Sequence, residues 1–180
     1  VGALLGAMLV YLFSSLAIRA VQRAASAIIE EVRRQFQSDP GIMAGTSKPY
    51  YARGVDITTR AALREMVAPG ILAVGMPVVV GLLLRAEATA GLLMVGTIAG
   101  IILATVLNNG GGAWDNAKND IEDGYMVIEG KPVPKKGFIH SAAVVGDTVG
   151  DPFKDTAGPS LHVLVKLLST VTLVLAPLFI

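Results

Sequence analysis

Two short stretches combine carboxylates with lysines at spacings that could hold a charged ligand. In Gly146-Asp-Thr-Val-Gly-Asp-Pro-Phe-Lys-Asp-Thr-Ala-Gly-Pro-Ser160, Asp147, Asp151 and Asp155 recur every fourth residue, and Lys154 falls among them. A continuous α-helix would stack the three carboxylates along one face, where they repel one another unless a cation lies between them. Carboxylate oxygens suit Mg²⁺, which keeps part of its water shell and commonly shares phosphate oxygens. In Asn108-Asn-Gly-Gly-Gly-Ala-Trp-Asp-Asn-Ala-Lys118, Asp115 and Lys118 repeat the acid-then-lysine spacing of Asp151 and Lys154. The three glycines before them let a backbone approach a ligand closely. Two helix ends that each offer an aspartate for a metal and a lysine for an anion predict a metal-bound phosphate ligand. A solvated surface ion pair is the plainer reading of Asp115 with Lys118 alone. It does not serve three aligned aspartates, whose repulsion would go uncompensated.

Lys166 is the third chemical signal. It follows Asp155 by eleven residues, which on a helix is about 20° off the same face and roughly 16 Å further along. An ionisable group in an otherwise apolar run marks an ion pathway and calls for an acidic partner. No acid of this sequence is spaced to meet it. A snorkelling lysine is the bland alternative.

The elements that must carry these residues are membrane helices. The chain has 180 residues, 53% of them hydrophobic and only 16% charged, well below the charged share of a soluble domain. Residues 1–18, 66–84 and 88–114 are free of charge, and a fourth run from about Pro159 to Ile180 holds only Lys166. Eighteen helical residues span roughly 27 Å, close to a bilayer core. The prediction is an all-α, polytopic membrane helix bundle with four transmembrane helices, about 1–20, 66–85, 88–110 and 157–180. The first continues as an amphipathic helix to about residue 37 and ends at Ser38-Asp39-Pro40-Gly41. Asp56 is expected to cap a helix starting at Ile57, and Pro77 to kink the second span. Gly2 with Gly6, and Gly96 with Gly100, have the spacing of close helix packing in lipid.

Basic residues orient the bundle. Arg19 to Arg64 holds eight Lys or Arg and Asp115 to Asp155 holds five, whereas the tip between spans two and three has only Arg85. The positive-inside rule therefore places segments 38–65 and 111–156 in the cytoplasm, with the C-terminus on the opposite side. A formal net charge of +1 on so apolar a chain argues against a nucleic-acid partner. With no cysteine, thiolate metal sites, cysteine nucleophiles and disulfides are excluded. The first run lacks the basic start of a signal peptide, and both ends fall inside apolar runs, so a fragment of a longer chain is expected.

At these residues the sequence resembles the membrane-integral, ion-translocating inorganic pyrophosphatases, dimeric proton or sodium pumps driven by pyrophosphate. Residues 146–161 match one signature of that family with only Ala157 unusual, and 111–118 match a second. Tyr51 to Met66 and Ile29 to Phe36 resemble two more, so the likeness covers nearly the whole chain. The departures are Asn119 in place of a frequent lysine, Tyr50 in place of an acid, His162 in place of asparagine, and a longer Gly124–His140 stretch.

The resemblance implies a fold of about sixteen helices, of which this chain would hold the last four. It implies that Asp115, Asp151 and Asp147 bind Mg²⁺, that Lys118 and Lys154 hold pyrophosphate oxygens, and that Asp155 activates the attacking water. Lys166 would be the gate lysine of the ion path. Pyrophosphate, membrane lipid and a second copy of the full-length chain are the implied partners; the residues that decide between proton and sodium, or set a K⁺ requirement, lie elsewhere. By itself the stretch is expected to be inactive. A non-catalytic transporter subunit would account for the spans and Lys166 but not for two Asp–Lys clusters. A phosphate-binding membrane scaffold would account for the clusters but not for a lysine at depth.

Overall fold

The computed structural model describes residues 1–180 and is helical almost throughout. Helix α1 (Gly2–Ser38) runs unbroken, and a short α2 (Pro40–Met43) follows, capped by Asp39, whose carboxylate accepts the Gly41 N–H at 2.9 Å. Helix α3 (Tyr51–Glu65) leads through Met66 into α4 (Val67–Glu122). A two-stranded antiparallel ribbon, β1 (Val127–Ile128) and β2 (Lys131–Pro132), precedes α5 (Phe138–Pro152). A π-helical turn (Phe153–Ala157) joins α5 to α6 (Gly158–Leu175). Three helical stretches, 2–38, 51–122 and 138–178, are long and apolar enough to cross a membrane.

Helix α4 is two helices meeting at Arg85, whose backbone (φ 68°, ψ −173°) is not helical. A straight helix of that length would reach about 84 Å. Instead the chain folds back. Leu84, Glu87 and Ala88 lie beside Val1–Ala3 at the start of α1, whereas Arg23, far along α1, bonds Glu65 just before the first arm begins. The second arm, 86–122, runs alongside α1, with Gly6 against Leu92 and Gly96, and Arg19 sharing a hollow with Leu107. The conformation at Arg85 is one that an L-residue rarely adopts; the Thr89 hydroxyl, donating to the Arg85 carbonyl at 2.9 Å, helps to fix it.

All four rods contribute to one core: Leu9, Val10 and Phe13 from α1, Ala73 and Val80 from the first arm, Leu92, Ala104 and Leu107 from the second, and Leu161, Leu164 and Leu168 from α6. Outward-facing Leu83, Met94, Ile102 and Leu173 stay exposed on this chain. In lipid such apolar faces give no drive to associate, so close packing must hold the rods together. Small residues allow it. A β-carbon on Gly6 would press into the Leu92 carbonyl and lie 2.9 Å from the Gly96 nitrogen; the Phe179 ring sits directly on Gly81.

The polar end of the bundle is tied differently. Glu31, only 6% exposed, binds Arg34 at 2.7 Å, Arg53 at 3.2 Å and the Gln35 amide at 2.9 Å. The Arg34 hydrogen bond, then that of Gln35, holds its carboxyl down to about 2. Gln35 in turn accepts the Tyr50 N–H at 2.9 Å. That long-range bond fixes the start of α3, so the helix begins at Tyr51 and not after Asp56, which lies inside it and pairs with Arg60 at 2.8 Å. We expect Gly6→Val to destabilise the bundle by about 1–3 kcal/mol, the usual cost of overpacking, because the obstructing atoms are backbone. A melting temperature in detergent equal to that of the native chain would contradict it.

Candidate functional site

Beyond Leu107 the second arm of α4 leaves the core and carries Asp115 and Lys118 on one face, three residues apart. Helix α5 and the π turn pack against it and bring Asp147, Asp151 and Lys154 to the same place. Lys118 Nζ lies 2.6 Å from Asp147 Oδ2 and 3.3 Å from Asp115 Oδ1. Lys154 Nζ lies 2.7 Å from Asp115 Oδ2, 3.0 Å from Asp151 Oδ1 and 3.6 Å from Asp147 Oδ1. Both shortest contacts cross between helices, while the in-helix pairs suggested by the sequence spacing are longer. Three carboxylates and two ammonium groups thus form one closed network that joins the two elements.

The network satisfies its members unequally. Asp147 is buried, and at 3.6 Å Lys154 is too far to hydrogen-bond its Oδ1, which has no other partner. Asp115 also accepts from the Asn119 amide at 3.2 Å. Asp151 is half-exposed.

Asp155 does not join them. It is exposed and forms no ion pair, so the straight stack of Asp147, Asp151 and Asp155 is replaced by two aspartates in the network and one beside it. The reason is local. Pro152 and Pro159 have no N–H to continue the α-helical ladder, and Gly158 N–H instead reaches back five residues to the Phe153 carbonyl. This wider turn carries Asp155 out of phase with Asp151. Lys166 is exposed on α6, on the side away from Leu161, Leu164 and Leu168, and no acid of this chain pairs with it.

The three glycines of the run stand in different surroundings. Gly110 and Gly112 have open space where a β-carbon would be, while Gly111 is pressed between the Gly150 carbonyl and Lys154. Its small size serves the approach of two helices. Sequence reasoning also passed over Trp114, which packs on Gly146 and Gly150, and the His140–Glu122 pair at 3.0 Å, which closes the base of the ribbon-bearing loop. The only signal for the first was a glycine pair spaced i, i+4 inside a helix.

By chemistry the donor set fits a hard divalent cation: three carboxylates, one with a buried oxygen lacking any hydrogen bond. Their positions are those of a lysine-bridged network, and no three acids converge on one point. Cation charge is here supplied by Lys118 and Lys154.

Hydrogen bonds from Lys154 and then Lys118 hold the Asp115 carboxyl below its ordinary 3.8. Lys118 is raised above 10.5 chiefly by Asp147, and Lys154 chiefly by Asp115 and then Asp151. A lowered acid stabilises the fold fully above its unfolded value, and the gain is lost as pH falls through the folded one. A raised lysine stabilises fully below its unfolded value, and the gain is lost as pH rises through the folded one. The melting-temperature difference between the native chain and Asp115→Asn should therefore stay constant from about pH 4 to about pH 10 and shrink outside that window. A steady drift across neutral pH would contradict it.

Residues 1–175 match the family model described as "Inorganic H+ pyrophosphatase". The chain is 63% identical over 179 residues to a K(+)-insensitive pyrophosphate-energized proton pump of Caldanaerobacter subterraneus subsp. tengcongensis, covering 99% of this chain and 24% of that one. It is 64% identical over 180 residues to a K(+)-insensitive pyrophosphate-energized proton pump 2 of Moorella thermoacetica, covering all of this chain and 26% of the relative. A putative K(+)-stimulated pyrophosphate-energized sodium pump of Clostridium tetani is 51% identical over 177 residues, covering 98% of this chain and 25% of its own length. The chain thus spans about a quarter of the length of these curated relatives.

Proposed function

The chain belongs to the inorganic H+ pyrophosphatase family, and on that premise we propose that it is the quarter of a membrane pump that carries part of its active site. The pump hydrolyses inorganic pyrophosphate to two phosphates and couples this to proton or sodium movement. The observation that carries the proposal is the crossed network of Asp115, Lys118, Asp147, Asp151 and Lys154, two cations between three anions at the end of a membrane bundle.

The lysines now spend their charge on aspartates. A pyrophosphate with bound Mg²⁺ offers both kinds of charge at once, so Lys118 and Lys154 can turn to its phosphate oxygens while Asp115, Asp147 and Asp151 hold the metal. Mg²⁺ bound there would offset charge on the phosphates. Asp155 stands beside the network without an ion pair, which leaves its carboxylate available to accept a proton from the attacking water. Lys166, unpaired on α6, is the gate lysine, and its acidic partner lies in the pump's remaining three quarters.

The non-helical backbone at Arg85 supports reading the three long helical stretches as four membrane crossings. The excess of Lys and Arg in 19–64 and 115–155 puts the site on the cytoplasmic side. The whole pump is a homodimer of chains of about sixteen helices, by analogy of fold.

Membranes expressing the full-length parent should show Mg²⁺-dependent pyrophosphate hydrolysis that falls by about 10²-fold or more in Asp155→Asn, the scale of a lost general base. Undiminished activity in Asp155→Asn would move the base elsewhere; inactivity of the unsubstituted parent would overturn the enzyme reading. Purified residues 1–180 alone should hydrolyse no pyrophosphate, since three quarters of the pump is then missing. Lys166→Ala should separate ion movement from hydrolysis in sealed vesicles, and unaltered coupling would remove Lys166 from the path.

A further inference from the structure

Beside the charged network runs an apolar seam offset from it by one residue throughout. Trp114, the only tryptophan of the chain, touches Gly146, Gly150 and Phe153. The network joins Asp115 to Asp147, Asp151 and Lys154. Each member of the seam thus immediately precedes a member of the network, on both helices. A β-carbon on Gly146 would lie 3.3 Å from Trp114 Cδ1, and one on Gly150 would lie 2.9 Å from Cε3 and 3.0 Å from Gly111 Cα. The ring faces Phe153 at 6.2 Å between centroids, tilted by 41°.

Glycine inside a helix costs about 1 kcal/mol relative to alanine, so two of them one turn apart call for a packing reason. Here they seat one edge of an indole that stays 42% exposed, while Gly111 and Gly150 meet backbone to backbone beside it. The ring and that backbone contact together bound how far α5 stands from the second arm of α4. The ammonium of Lys154 must cross that gap to reach Asp115 at 2.7 Å.

We infer that Trp114 is a positioning residue: seated on Gly146 and Gly150, its indole sets the helix spacing at which Lys118 and Lys154 meet the aspartates of the opposite element. Its kinetic consequence rests on the pyrophosphate reading, while its geometric consequence does not. Trp114→Phe keeps a flat ring on this seat; Trp114→Ala removes it. Gly150→Ala adds a methyl group beneath the ring and forces the helices apart without touching Trp114.

The test uses the full-length parent freed of any cysteine; residues 1–180 have none of their own. With Asp115→Cys and Lys154→Cys introduced, a short bifunctional thiol reagent reports the gap between the helices. Added Gly150→Ala should slow bridging by about tenfold and Trp114→Ala should change its rate by about as much, with Trp114→Phe close to the parent, as expected of a ring that sets geometry. In the parent with Asp115 and Lys154 intact, Trp114→Ala should raise KM for magnesium pyrophosphate about tenfold with a smaller change in kcat, and Trp114→Phe should restore it. Bridging unchanged in Trp114→Ala and Gly150→Ala would overturn the inference. So would a lowered melting temperature with unchanged KM, which is a purely structural role. If Trp114→Ala fails to fold, Gly150→Ala decides by the same two readouts. A parent without hydrolysis would remove the pyrophosphate reading but leave the bridging result to judge the spacing role.

Discussion

Three carboxylates within reach of one another cannot all stay ionised in a half-buried site without cations, and this constraint shapes the upper half of the molecule. Lys118 and Lys154 meet it by reaching across to the opposite element, each making its shortest contact there. Electrostatics therefore clamps α5 and the π turn to the second arm of α4. The clamp needs a narrow gap, and the gap needs Gly111, Gly146 and Gly150. Charge placement and backbone bareness are parts of one device, written into adjacent positions of the sequence.

Below the clamp the demands are those of a bilayer. Backbone groups must be satisfied within each rod, which is why the apolar stretches are helices, and with little hydrophobic drive between them the rods are held by contact. Gly6 against Leu92 and Gly81 under Phe179 show the outcome. On the polar side the rules reverse: Glu31, Gln35, Arg23 and Glu65 hold α1 to both ends of α3 by charge and hydrogen bonds. Helix α1 and the second arm of α4 pass from one regime to the other without a break.

Much of this was legible in the residues themselves. The all-helical class follows from long uncharged runs, and the reversal near residue 85 from two charges standing alone between two such runs. Less legible was anything set by distant partners. The start of α3 depends on Gln35 meeting Tyr50, fifteen residues apart, and no propensity at Asp56 could reveal that. The acid cluster was visible as a spacing, but its crossed lysine pairing depends on how two helices meet. Asp155 left the stack because of Pro152 and Pro159, both in plain view; reading the run as one continuous α-helix hid them. The ribbon at 127–132 is too short to show a period.

The π turn is also an angular decoupler. Upstream, α5 must aim its aspartates at α4; downstream, α6 must aim Leu161, Leu164 and Leu168 at the core while Lys166 looks away. An unbroken α-helix would lock these two bearings together, so that improving one would spoil the other. The widened turn at 153–157 lets the chemical head and the membrane shaft keep independent headings on a single rod. Losing one residue there would swing the whole of α6 by about 100°, so this stretch should resist changes of length more than any of its individual side chains resists exchange.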